Sequence, residues 1–233
     1  MALSTSPVAA PRPAPVSKPF ADPTLAYLPC ELCGAAKADV LMHRADALTR
    51  RRQATFTQCR ACGLVSRNPR PFSFLSIATL APAAGLAGRK RALARAARRW
   101  LKTVKGKRRS LLVVGCARGE LLRLLIRKGH RPVGIDPDPT PAEEAIGRVE
   151  DKPPILRKAV ESAGFPDERF DGAAAVDSLG CMPNPAQTLV EIHRVLKPGG
   201  TLLVTAANIQ SAAFHLFGDA WAPFAPEQTL FHL

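Results

Sequence analysis

The hydrophobic pattern is clearest from Ser110 onward. Ser110-Leu-Leu-Val-Val-Gly115 is an apolar run without alternation, as expected of a strand covered on both faces. Residues 120–128 place apolar side chains at helical spacing. They stop at Gly129, where a left-handed cap costs glycine little. Residues 131–135 and 170–176 read as further strands, with a weaker one at 154–156. Asn184-Pro185 opens a helix, Asn as N-cap and Pro at the first helical position, with an expected buried stripe of Leu189, Ile192, Val195 and Leu196. Lys197-Pro198-Gly199-Gly200 reads as a turn into a strand at 201–205. Strand and helix in alternation predict an α/β fold: a Rossmann-like, doubly wound, mostly parallel sheet with helices on both faces.

Upstream the pattern changes twice. Residues 85–109 are rich in Ala and Arg and predict a helix whose apolar face is Leu93, Ala96, Ala97, Trp100, Leu101 and Val104. From Arg89 to Arg109 eleven cations fall within 21 residues with no acid between them. The plain expectation is an amphipathic helix packed on the sheet with its basic face in water. The alternative is weak nucleic-acid or anionic-surface binding through 89–109. Residues 1–29 are punctuated by seven prolines, which remove backbone donors and fix φ; a disordered tail is expected. The expected division is therefore a tail at 1–29, a cysteine module at 30–71, a basic helical linker at 72–109 and a Rossmann-like domain at 110–233.

The 233 residues are 46% hydrophobic, enough for a core, and carry a net charge of +14. No run approaches the roughly 20 apolar residues of a membrane helix, so no transmembrane segment is expected. Without a secretory signal, a cytoplasmic protein is expected. One Tyr and two Trp leave few platforms for stacking bases.

Four of the six cysteines form two Cys-x-x-Cys-Gly turns, Cys30/Cys33/Gly34 and Cys59/Cys62/Gly63. Glycine at φ > 0 lets each turn aim two thiolates at one point. Two such turns supply four soft ligands and leave no open position, the arrangement of structural zinc. Two disulfides or a redox pair are the rivals. Cys116 and Cys181 are solitary and read as small hydrophobes rather than nucleophiles.

Gly115-Cys116-Ala117-Arg118-Gly119 joins a strand to a helix, and Asp136 ends the next strand. A glycine-rich turn lets a ligand approach backbone N–H groups, and an acid there suits ribose hydroxyls. Loop and acid together suggest an adenosine-containing cofactor.

Five stretches make a more specific resemblance. They are Cys59-Arg-Ala-Cys-Gly-Leu-Val-Ser-Arg-Asn-Pro-Arg-Pro71, Leu112-Val-Val-Gly-Cys-Ala-Arg-Gly-Glu120, Val133-Gly-Ile-Asp-Pro137, Phe170-Asp-Gly172, and Glu191-Ile-His-Arg-Val-Leu-Lys-Pro-Gly-Gly200. Together they resemble class I S-adenosylmethionine-dependent methyltransferases that carry an N-terminal zinc-ribbon-like module. The ending Ala225-Pro-Glu-Gln-Thr-Leu-Phe-His232 is similar to a segment beyond the family's fifth strand. The resemblance implies S-adenosyl-L-methionine as cofactor and a small-molecule methyl acceptor, such as a sugar or polyketide-like compound. It also implies cofactor contacts at Gly115, Cys116, Ala117, Gly119 and Asp136, with Asp177 bordering the methyl-transfer site. It names no catalytic base, and His193 reads as structural.

The chain departs from the family at four places. Val113 stands where an acid usually precedes the loop, Ala117 replaces the middle glycine, Lys158 takes the place of an adenine-contacting acid, and Gly180-Cys181 replaces a Glu-His pair. A non-catalytic, zinc-stabilised relative that binds nucleic acid or protein is the competing expectation. Five of the family's usual seven strands are evident, so a C-terminally truncated domain with an uncovered last strand is expected. Trp221, Phe224 and Phe231 would then be left to drive self-association.

Overall fold

The computed structural model describes residues 25–26, 28–45, 53–71, 86–104, 106–147, 152–218 and 229–232. Short strands come first: β1 (Leu25–Ala26), β2 (Ala38–Ala45), β3 (Gln53–Cys59), β4 (Val65–Arg67) and β5 (Arg70–Pro71). Helix α1 (Leu86–Thr103) precedes β6 (Ser110–Val114), α2 (Glu120–Arg127), β7 (Arg131–Ile135), α3 (Thr140–Ile146) and β8 (Ile155–Leu156). Then follow β9 (Phe170–Val176), α4 (Pro185–Val195), β10 (Leu196–Thr205), α5 (Ala212–Phe217) and β11 (Phe231–His232).

Five strands form the expected parallel sheet, in the order β10-β9-β6-β7-β8. Successive side chains of β6 point to opposite layers. Leu111 and Val113 enter a cluster with Ala97, Trp100, Leu122 and Leu125. Leu112 and Val114 enter another with Phe165, Phe170, Ile192 and Val195. Both faces are covered, which is why this strand has no polar side.

Helix α1 packs on the parallel sheet with its basic face outward, as the amphipathic pattern led one to expect. Ala97, Trp100 and Val104 are buried, while Arg91, Arg95, Arg98, Arg99 and Lys102 are exposed. The Trp100 indole N–H donates to Thr201 Oγ1 at 3.1 Å. Gly172 lies beneath the ring, where a Cβ would come within 2.9 Å of Trp100. The helix stops at Thr103, short of the expected 109.

Helix α4 begins as expected, with Asn184 Oδ1 accepting from the Gln187 N–H at 2.9 Å. Its buried side differs. Thr188, Ile192 and Val195 face inward, and Leu189 is 39% exposed. Thr188 can be buried because its hydroxyl bonds to the Asn184 carbonyl at 3.1 Å and to the Glu161 carboxylate. The expected turn at 197–200 lies inside β10. Leu196 pairs with Phe170 and the next partners are Thr201 and Gly172, so the Lys-Pro-Gly-Gly stretch bulges out of the ladder.

The second sheet is antiparallel, in the order β11-β4-β3-β2. Its outer strand comes from the other end of the chain. Phe231 pairs with Ser66 and is 5% exposed, so it is not left without a partner as expected. Trp221 and Phe224 lie outside the described residues. Ile209 packs with Phe56 and Val65 on this same sheet, with Phe214 against them. The segment after β10 thus covers the cysteine module, and β10 remains an edge among the described residues. The expected tail also ends earlier than residue 29: Leu25–Ala26 pairs with β5, and the Leu28 carbonyl accepts from the Asn68 side-chain amide at 2.8 Å. Residues 1–24 are outside the described part.

Candidate functional site

The two cysteine turns are built alike. The Gly34 N–H donates to the Cys30 carbonyl at 2.8 Å, and the Gly63 N–H to the Cys59 carbonyl at 2.9 Å. Both glycines have positive φ, 73° and 78°. β2 and β3 pair Ala38 with Cys59, which carries one turn beside the other. The four Sγ atoms lie within 4.8 Å of one another. Cys30 and Cys62 are 3.5 Å apart, Cys33 and Cys59 3.6 Å. A tetrahedron with metal–sulfur bonds of about 2.3 Å has edges of roughly 3.8 Å, so the quartet fits one metal ion. All four thiols are free in this structure, and their separations are far beyond a disulfide bond of about 2.05 Å. Burial pushes the Cys30 thiol up to about 12, whereas the Cys62 backbone N–H pulls Cys59 down to about 7.

The glycine loop lies at the carboxyl end of β6, where ligands bind open parallel sheets. Its backbone is left-handed at every second residue: Gly115 at φ 69°, Ala117 at 44° and Gly119 at 69°. Ala117 therefore adopts the conformation that glycine occupies without strain. Gly119 is the N-cap of α2 and offers no side-chain acceptor, so the first amides of the helix lack a side-chain cap. A Cβ on Gly115 would lie 2.4 Å from Ser178 Cβ, which makes glycine obligatory there.

Asp136 ends β7 as expected and reaches the loop. Its Oδ2 accepts from the Ala117 N–H and its Oδ1 from the Asp138 N–H, both at 3.0 Å. Burial raises its pKa above the ordinary carboxylate value, against the lowering by those two amides. Asp138 is held by Thr140 and by Arg157, whose Nη1 lies 3.4 Å from Asp138 Oδ1. Asp177 follows β9 at φ 51°, exposed, its carboxylate accepting from Thr205 Oγ1 at 2.8 Å. Beside it the Ser178 hydroxyl donates to the Val114 carbonyl at 2.9 Å and ties the ends of β9 and β6 together.

The loop, Asp136 and Asp177 thus come to one end of the sheet, and the cysteine quartet forms a separate cluster. Cys116 is buried in the loop, and burial pushes its thiol up to about 12, against a nucleophilic role. His193 is exposed on α4, and its neighbour Arg194 is the anchor, donating to Glu191 and to the Phe165 carbonyl. The departures from the family also find places. Val113 faces the apolar cluster under α1 and α2. Lys158 is exposed just after β8. Gly180 lies against the start of β11 and the residues leading into it: a Cβ there would be 2.6 Å from the Phe231 carbonyl oxygen and 2.8 Å from the Thr229 side chain. Ser178 was not anticipated as a site neighbour. Its place directly after a buried strand is the hint the sequence offers.

Residues 112–204 match the family model described as a methyltransferase domain. Over 100 residues the chain is 33% identical to the sterol 4-C-methyltransferase strm-1 of Caenorhabditis elegans, covering 40% of this chain and 29% of that protein. Over 110 residues it is 26% identical to a ubiquinone biosynthesis O-methyltransferase of Pseudomonas paraeruginosa, covering 46% and 47%. The chain spans less than half the length of either curated relative. Among solved structures, the 4+2 cyclase SpnF is 31% identical with a TM-score of 0.48, over 53% of this chain and 47% of that one. The PH0226 protein of Pyrococcus horikoshii OT3 is 24% identical with a TM-score of 0.48, over 54% and 62%. No helix among the described residues is long and apolar enough to cross a membrane. The family match falls on the strands and loop that build the carboxyl end of the parallel sheet, and so it is residues 112–204 that carry the likeness to class I S-adenosylmethionine-dependent methyltransferase domains.

Proposed function

We propose that the chain transfers a methyl group from S-adenosylmethionine to an oxygen, nitrogen or carbon of a small molecule, a sugar or polyketide-like compound by family resemblance. The observation that carries this reading is the left-handed loop 115–119 held to Asp136 at the mouth of a methyltransferase domain. Bound there, the cofactor supplies an electrophilic sulfonium methyl. The loop residues Gly115, Cys116, Ala117 and Gly119 would border its methionine part, and the Asp136 carboxylate would face its ribose. Asp177 would border the acceptor. The protein's contribution is to align acceptor and methyl and to keep water out. Relatives that act in sterol and ubiquinone chemistry support a small acceptor and leave its identity open.

Calorimetry with S-adenosylmethionine tests the reading. The intact chain binds it, and Asp136→Ala weakens binding roughly ten- to a hundredfold, the loss of one or two charge-assisted hydrogen bonds. No heat at millimolar ligand would overturn it. The second reading, a non-catalytic binding module, is favoured by two features: Val113 turned into the core and an alanine at a left-handed position of the loop.

For the quartet we propose one structural zinc ion held by Cys30, Cys33, Cys59 and Cys62. Metal analysis of the purified chain then gives about one equivalent, and the four thiols titrate only with a chelator present. Less than about half an equivalent of any metal, with the thiols freely titratable, would refute it.

A further inference from the structure

We propose that the cysteine module positions the methyl-transfer end of the sheet, with Leu230 and Phe231 as the positioning residues that act on it through Gly180. A continuous run of contacts supports this. Cys30 packs against Leu64, Leu230 and Phe231, which form one buried cluster beside the quartet. Leu64 directly follows the second cysteine turn, and its carbonyl accepts from the Cys59 N–H at 2.9 Å. The Arg67 N–H donates to the Leu230 carbonyl at 2.7 Å, and Phe231 pairs with Ser66. From the other side of the same segment the Leu230 N–H donates to the Gly180 carbonyl at 2.6 Å. Gly180 belongs to the turn after β9 that starts at Ser178, and Ser178 both bonds to Val114 and closes against Gly115.

Each step is main chain or close packing, so there is little slack to absorb a displacement. The approach at Gly180 is so close that no side chain fits. Where the family resemblance expects a Glu-His pair, the chain presents the backbone of 229–231 instead. The tip of β9 is therefore held from outside the parallel sheet, by a strand whose place depends on the folded cysteine turns. Filling the quartet orders β4, β4 seats β11, and β11 fixes the residues from Asp177 to Cys181 and, through Ser178, the cofactor loop. No cysteine of the quartet belongs to that loop, so a metal effect on it would be transmitted rather than direct.

Hydrogen exchange resolved along the full chain, with S-adenosylhomocysteine affinity beside it, tests the proposal. The first protein is zinc-loaded Gly180→Ala, which pushes 229–231 away and leaves every cysteine in place. Expected are a full equivalent of zinc, exchange at 115–119 and 177–181 faster by about tenfold, and unchanged protection of β7. Ligand affinity falls by a similar factor. The second is the unsubstituted chain with zinc removed, in which the same segments loosen while β7 stays protected. Unchanged exchange at 115–119 in the substituted protein overturns the proposal, as does loosening confined to 30–67 and 229–232 in the chelated one. Only the affinity measurement rests on the cofactor reading. Failure of the zinc-loaded, unsubstituted chain to bind ligand would sink that reading, whereas the exchange pattern tests the positioning by itself.

Discussion

Ala117 is the residue at which backbone and side chain disagree most. At φ 44° its Cβ crowds the neighbouring carbonyl, at a cost of about 1–2 kcal/mol that glycine avoids. The Asp136 carboxylate holds the turn by accepting its N–H. Ala117→Gly removes the strain and adds some freedom to the unfolded chain, so a net gain of about 1 kcal/mol is expected in a denaturant melt. Equal or lower stability would mean that the loop does not hold this conformation in solution. At this scale the sequence was informative where a residue's chemistry is special. The glycines, the paired cysteines and the acid ending β7 all declare themselves by type. Ser178 and Thr188 do not, since a buried hydroxyl is recognised only once its acceptor is known.

Among the elements, those built from neighbouring residues were legible. The strands β6, β7 and β9 fall where apolar runs end at glycine or charge, and α4 starts at its Asn-Pro cap. Helix α3 and the antiparallel strands were missed. α3 is short and carries two exposed glutamates among its seven residues, too little for a stripe. β2 to β4 are set by the cysteine turns between them more than by their own pattern. β11 is two residues long and exists only through its distant partner, which no local signal reports. That strand carries His232, 1% exposed beside the Phe56 ring. Burial lowers its imidazole from the ordinary 6.5 to about 4. The unfolded chain therefore binds a proton that the folded chain refuses. The contribution is fully present above about pH 6.5 and is lost as pH falls toward 4, about 3 kcal/mol in all. Melts of the chain and of His232→Gln between pH 4 and 7 check it. The variant should lack that part of the pH slope, and parallel curves would show that His232 is already charged when folded.

For the whole molecule, charge is unevenly placed. The acids that make ion pairs sit with Arg60, Arg109, Arg157, Arg194 and Lys197. Among the described residues, exposed Arg91, Arg95, Arg98, Arg99 and Lys102 on α1 make no ion pair, nor do Arg123, Arg127 and Lys128 on neighbouring α2. The apolar side of α1 is spent on the core, and among the described side chains of α1 and α2 none is a large exposed apolar one. Such a face attracts polyanions by charge alone. Binding to duplex DNA should be weak at physiological salt and fall steeply as salt rises, because each neutralised phosphate releases a counterion. A fluorescence titration at two salt concentrations measures it. Sub-micromolar affinity retained at physiological salt would instead mark α1 as a dedicated nucleic-acid surface.

The pairing of Ser66 with Phe231 also fixes an order of events during synthesis. Ser66 leaves the ribosome long before Phe231 does, and both cysteine turns emerge with it. The nascent module can bring its four cysteines together early, yet it waits with β4 exposed while the entire parallel sheet is made. Long-range closures of this kind are slow, and open strands are the hazard while they are pending. A strand translated after the whole parallel sheet is thus the one that seals the first module, and a chain stalled before residue 231 would betray itself there, as an unsealed edge along β4.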